Sequence, residues 1–199
     1  MGQLRSCALF LVILLPLLVS GQSDWRAGYV VNLSGDTLRG QVRDRDTGPF
    51  GGLYNKVILK GEKGSSVRRK RFPPRKMRAY RWGDADFIVL PTVTESVLLT
   101  TRRRVDPERG VPEVFQIVVE GPLCLYYDEF TDEDNSDIRA IPYFKRAGNP
   151  ALVRATQGLF GLKVKRLSEF FADRPDLVRK LQAGTLKTPM DVVRAYGEE

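Results

Sequence analysis

The stretch Arg68 to Arg81 (RRKRFPPRKMRAYR) carries eight cations and no acid: Arg68, Arg69, Lys70, Arg71, Arg75, Lys76, Arg78 and Arg81. Guanidinium forks match the geometry of phosphate and carboxylate, and the neighbouring Phe72, Tyr80 and Trp82 offer rings for stacking on bases or sugars. The chemistry this pattern suggests is capture of a polyanion. The same residues have a plainer reading, in which the cations solvate an edge strand and discourage edge-to-edge pairing while the aromatics enter the core. Both readings stay open at the level of sequence.

The opposite patch is Asp128 to Asp137, DEFTDEDNSD. Asp132, Asp134 and Ser136 alternate as in a calcium loop. Asp137, however, stands where the turn needs glycine, and Tyr143 where a bidentate glutamate belongs. The expectation is a solvated acidic loop with no metal. A further possibility is that this loop meets the basic strip, within one chain or between molecules.

Other chemistries are excluded or unmarked. The chain has no histidine, which removes Ser-His-Asp and Cys-His catalysis and histidine metal sites. There is no phosphate-binding glycine loop and no nucleophile elbow. Paired carboxylates remain conceivable, as in a carboxylate-dependent hydrolase, but no two acids are marked out by an apolar setting. No cofactor is expected.

Address comes next. Arg5 precedes the 12-residue apolar run Ala8 to Val19, and small or polar residues follow from Ser20 to Ser23. This is the three-part form of a secretory signal peptide, and the run is shorter than a spanning helix needs. Residues 1–23 are therefore expected to be a cleaved leader, leaving no transmembrane segment. The mature chain would retain Cys124 alone, set among Leu123, Leu125, Tyr126 and Tyr127, so it is read as a small buried apolar residue. Removing Arg5 leaves 31 Lys and Arg against 24 Asp and Glu, a net charge of +7. A basic exported protein associates with polyanions such as the phosphate-rich outer leaflet or acidic polysaccharide. With 42% hydrophobic and 28% charged residues, the rest has the composition of a folded domain.

The elements that would position these residues begin with GYVVNLSGDTLRGQV, Gly28 to Val42. It reads as a β-hairpin turned at Ser34-Gly35-Asp36, with Tyr29, Val31 and Leu33 on one face of its first strand. On the second strand Leu38 and Val42 point one way and Arg39, Gln41 and Arg43 the other. Further strands are expected at 56–60, 67–72, 79–82, 86–90, 96–101, 113–119, 123–128, 138–145 and 151–156. Phe115, Ile117 and Val119 are expected to share a face. After Gly158 the period changes. Val164, Leu167, Phe170 and Phe171 recur at helical spacing, then Leu177, Val178 and Leu181, with Gly184 as a stop. Thr188-Pro189-Met190-Asp191 reads as a helix start.

The expected fold class is α+β: an antiparallel β-rich sandwich or curved sheet over 24–157, with the helices of 158–199 packed on the same domain. The leader, the GDTxxGxV hairpin at Gly35 to Val42, Gly121 before LCLYYDEF, FFADRPDLVRKL and TPMDVVRAYGEE, in that order, resemble a group of uncharacterised exported envelope proteins of Gram-negative bacteria. The resemblance implies an envelope location and a β-rich body with a helical end, and carries no site residue.

The functional expectation is a non-catalytic exported envelope module, in the periplasm or outside the cell. Its basic strip would bind a polyanionic surface, such as lipopolysaccharide or polysaccharide, or an envelope protein, with no specific nucleic acid. The alternatives are a structural or accessory exported protein without a ligand, and a carboxylate-dependent hydrolase. Oligomeric state has no signature in the sequence.

Overall fold

The computed structural model describes residues 25–45, 56–62, 68–97, 100–131, 138–158 and 161–198. The leader at 1–23 and residues 132–137 of the acidic loop lie outside them. The strands are β1 (Trp25–Asn32), β2 (Thr37–Arg43), β3 (Val57–Gly61), β4 (Lys70–Phe72), β5 (Met77–Trp82), β6 (Ala85–Val97), β7 (Thr100–Val105), β8 (Val111–Val119), β9 (Leu123–Thr131), β10 (Ile138–Arg146) and β11 (Ala151–Arg154). A 3-10 turn, Pro74–Lys76, links β4 to β5. Helices α1 (Val164–Phe170), α2 (Pro175–Gln182) and α3 (Pro189–Gly197) follow. The class is α+β, as expected.

The strands form one antiparallel sheet in the order β4-β3-β2-β1-β5-β6-β7-β11-β10-β9-β8, and β8 pairs again with β6. That return pairing closes β6, β7, β11, β10, β9 and β8 into a ring, so the curved sheet rather than the sandwich is the form adopted. Strand β6 makes this possible by its length. It meets β5 over Ala85–Ile88, β8 over Asp86–Thr92 and β7 over Thr92–Val97.

Because side chains alternate along a strand, the β6–β8 wall serves two cores. Leu90 and Phe115 face the inside of the ring with Tyr126 and Leu152. Phe87 and Val114 face the other way, into a cluster with Val30, Val42, Val57, Leu59, Phe72, Met77 and Tyr80. The N-terminal strands curl to cover that side. Gly28 and Gly40 face each other in the β1–β2 ladder, and the curl brings other backbones close to both. A Cβ on Gly28 would sit 2.0 Å from the Arg81 carbonyl oxygen, and one on Gly40 2.2 Å from that of Lys60.

Three expectations are corrected. In the first hairpin Tyr29 pairs with Arg39 and Val30 with Leu38, so Val30 enters the core and Tyr29 lies on the outer face. Leu33 is exposed in the turn. The glycines at 28 and 40 leave no side chain to mark the phase, and Tyr29, Val30 and Val31 are all apolar enough to suit a core. Second, Val119 does not share the face of Phe115 and Ile117. The ladder runs Ile117↔Tyr126 and then Val119↔Leu125, a bulge that turns Val119 toward the helices. Third, 96–101 is not one strand: Ser96 and Val97 end β6, Thr100 and Thr101 begin β7, Ser96 pairs with Thr101, and 98–99 lie outside the described residues.

The helices cover the outside of the ring wall. Leu167, Phe171, Leu177, Leu181, Val192 and Ala195 pack on Leu123, Leu125, Phe144 and Val153, all buried. The Phe144 and Phe171 rings meet edge-on with centroids 6.0 Å apart. Local signals hold as read. Pro175 opens α2, and Gly184 beyond its end takes φ 67°. On α3, Thr188 and Asp191 form a reciprocal capping box. At the ring edge Arg146 grips the Asp173 carboxylate with Nη1 2.7 Å from Oδ1, tying β10 to the turn after α1. No helix among the described residues is long and apolar enough to cross a membrane.

Candidate anion-binding face

The eight cations of the basic strip are all exposed, but the fold distributes them over three settings. Arg68 to Arg71 lie on and just before β4, which ends the strand order; Arg75 and Lys76 occupy the 3-10 turn; Arg78 and Arg81 lie on β5. In the sheet, β3, β2 and β1 stand between β4 and β5. Alternation then splits the strip again. Arg71 and Arg81 point outward, whereas Lys70 sits over the ring of the buried Phe72 at 5.1 Å. Phe72 and Tyr80 are core residues, so they offer nothing for stacking. Trp82 is half-buried, with the Arg26 guanidinium 3.8 Å above its ring.

The outer face of the N-terminal sheet gathers a different set. Registers give one row across the strands as Arg71–Ile58–Arg43–Trp25, from β4 to β1. The next row is Lys60–Gln41–Ala27, and the next Arg39–Tyr29–Arg81–Asp86, from β2 to β6. Strands lie about 4.8 Å apart and same-face rows about 7 Å apart, so neighbouring cations stand roughly 8–10 Å apart across the face. Across these rows Asp86 is the one carboxylate.

Two aromatics brace the cations. Tyr29 has Arg81 5.6 Å from its ring centroid and Arg39 at 5.9 Å, and its hydroxyl donates to Asp86 Oδ1 at 3.2 Å. Arg81 Nε donates to the same oxygen at 2.6 Å. These bonds, Arg81 foremost, hold the Asp86 carboxyl below its ordinary range, while burial and the anion beside it push the Tyr29 phenol up. Arg69 lies 5.6 Å from the Trp25 ring, which places a third strip residue on this face. The face therefore takes Arg69, Arg71 and Arg81 from the strip and adds Arg39, Arg43 and Lys60. The sequence reading missed those three because they are distant along the chain. The signal available was the polar phase Arg39, Gln41, Arg43 on β2.

The basic surface does not extend through Arg102 to Arg104. Arg103 turns into the ring, 4.9 Å from the Phe115 ring and 5.1 Å from that of Tyr143, and bonds Asp128 and Glu113. Thr92 donates to the same Glu113 carboxylate. Arg104 bonds Glu95 and Asp106. The described part of the acidic stretch thus meets Arg103 and Arg45 within the chain, while 132–137, on which the expected contact with the strip also falls, lie outside the described residues. Its first residue Asp128 holds Arg103, and its second, Glu129, holds the buried Arg45. Arg45 also donates from Nε to the Tyr80 hydroxyl at 3.2 Å. Burial pushes the Tyr80 phenol and the Glu129 carboxyl upward. Cys124 is half-buried, its thiol 3.3 Å from the Gly121 carbonyl oxygen.

Fold and face together describe a β-rich protein with three buried clusters and a basic outer surface. No family model, curated protein or solved structure matches the chain.

Proposed function

We propose that the protein is a non-catalytic exported envelope module that binds a polyanionic surface, lipopolysaccharide or acidic polysaccharide, through the outer face of β1–β5. The observation that carries this reading is the register, which aligns Arg71, Arg43, Lys60, Arg39 and Arg81 on one face with Asp86 as the sole acid in the rows. Guanidinium forks on a braced sheet lose little freedom when they meet phosphate or carboxylate. The binding is electrostatic, so it weakens steeply with salt. The envelope address rests on the leader-like start of the chain and on the resemblance described above.

Retention of the mature protein on immobilised heparin tests the reading. Elution should move to lower salt when Arg69 and Arg71 are neutralised. Unchanged retention would mean that β4 carries its cations only to guard the sheet edge, which its terminal place in the strand order also suits. The protein would then be an accessory envelope component without a ligand at this face.

A further inference from the structure

Among half-buried or buried cations on the side of the ring, Arg45, Arg103 and Arg146 each hold a carboxylate. Arg154, Lys163 and Arg166 do not, and neither does Lys145, whose ammonium donates to the Arg146 carbonyl instead. Strand β11 ends at Arg154, which faces Tyr143 in the ladder. The chain then folds back on itself. Ala155 donates to the Pro142 carbonyl at 2.8 Å, Thr156 bridges Leu162, and the Lys163 amide donates to the Ala155 carbonyl at 2.8 Å. This fold-back pairs Lys163 with Ala155, the neighbour of Arg154, and Arg166 follows within the first turn of α1.

All three side chains are half-buried, and none has an ion pair or side-chain hydrogen bond among the described residues. The Nε of Arg154 is fully buried and has no hydrogen-bond partner. A buried donor left unmade costs free energy, and clustered like charges repel, so the arrangement is unfavourable as it stands. Its effect reaches Lys163. Burial first, then Arg154 and Arg166, lower that ammonium's pKa. An oxyanion among the three would cancel the repulsion.

We propose that Arg154, Lys163 and Arg166 form a discrete site for a compact phosphate-type oxyanion, at the junction of β11 with the helical end. Two planar forks and one ammonium suit the several oxygens of a phosphate group and give no comparable fit to a halide. The site lies apart from the outer face of β1–β5, and it stands whether or not that face binds a polymer. The phosphate can be free or a lipid headgroup, and the probes separate the two.

The test uses the mature protein in thermal unfolding with inorganic phosphate against sodium chloride at equal ionic strength, and co-sedimentation with phosphatidic acid vesicles against phosphatidylcholine vesicles. The site predicts a melting temperature that rises with phosphate but not chloride, or selective retention on the phosphatidic acid vesicles. Either response should vanish in Lys163→Met and Arg154→Gln. Lys163→Met should also raise the melting temperature without ligand, because it removes a charge that Arg154 and Arg166 repel. Equal responses to phosphate and chloride with no vesicle preference would overturn the proposal. So would a Lys163→Met protein that melts lower than the parent and still responds to phosphate.

Discussion

Arg103 Nη1 lies 2.6 Å from Asp128 Oδ2 inside the strand ring, joining β7 to β9 across 25 residues of sequence. The guanidinium is almost enclosed and also bonds Glu113, with two aromatic rings beside it. Its two carboxylates hold it in the charged form against the cost of burial. Removing one member of such a set leaves the others desolvated without compensation. Arg103→Leu should therefore cost about 2–3 kcal/mol, less than the roughly 3–5 kcal/mol of a fully buried pair because Glu113 retains access to water. Urea unfolding measures it. A variant as stable as the parent would show that the cluster contributes nothing net.

Glu129 gives the fold a pH response of definite sign. Burial raises its carboxyl above the usual range, Asp44 adds to this, and Arg45 only partly offsets it. The folded state holds that proton more tightly than the unfolded state, so this group's contribution is full at acid pH and fades as pH climbs through the raised value. Glutamine mimics the neutral form at every pH. The stability of Glu129→Gln relative to the parent should therefore improve between about pH 4 and pH 7. Denaturant midpoints at the two pH values check it, and a difference that moves against the variant would contradict the assignment.

Gly28 is fixed by backbone proximity. An alanine there would bring its Cβ to 2.0 Å from the Arg81 carbonyl, and that oxygen belongs to a paired strand that cannot simply step aside. Gly28→Ala should cost about 2 kcal/mol or more and loosen the β1–β5 pairing. Amide exchange should show this as lost protection at Tyr80 to Trp82. Protection equal to the parent's would show that the two strands separate without penalty.

Phe171 tests the role of the helices. Its ring is fully buried between Phe144 of β10 and Tyr196 of α3, with centroids 6.0 and 5.8 Å away. Phe171→Ala should cost about 3–5 kcal/mol, as expected for an aromatic removed from a core. A loss under about 1 kcal/mol, read from chemical denaturation, would mean that the tail does not cap the sheet.

What the sequence made legible was local. The stripe Leu167, Phe171, Leu177, Leu181 and the Thr188 cap read correctly because three or four residues decide them. The phase of β1 did not, since Tyr29 and Val30 are both plausible core residues and Gly28 is mute. Closure of the ring rests on the β6–β8 pairing around Pro91↔Pro112, a contact between two prolines that by themselves argue against strands. Arg103 read as one of three adjacent cations. Its inward course depends on Asp128 and Glu113, whose clue was that they keep step with Tyr126 and Phe115. The strip misled in the same way. Its eight residues are neighbours in sequence, whereas the face that assembles draws on five strands.

That difference defines the sharpest test. Two variants of the protein each lose three positive charges: Arg39→Gln with Lys60→Gln and Arg71→Gln on the outer face, and Arg75→Gln with Lys76→Gln and Arg78→Gln beside it. Salt elution from heparin compares them directly. The account predicts that the outer-face variant elutes at clearly lower salt, while the second stays close to the parent. Equal shifts in both would mean that net charge alone governs binding, and a larger shift in the second would place any site on the turn instead.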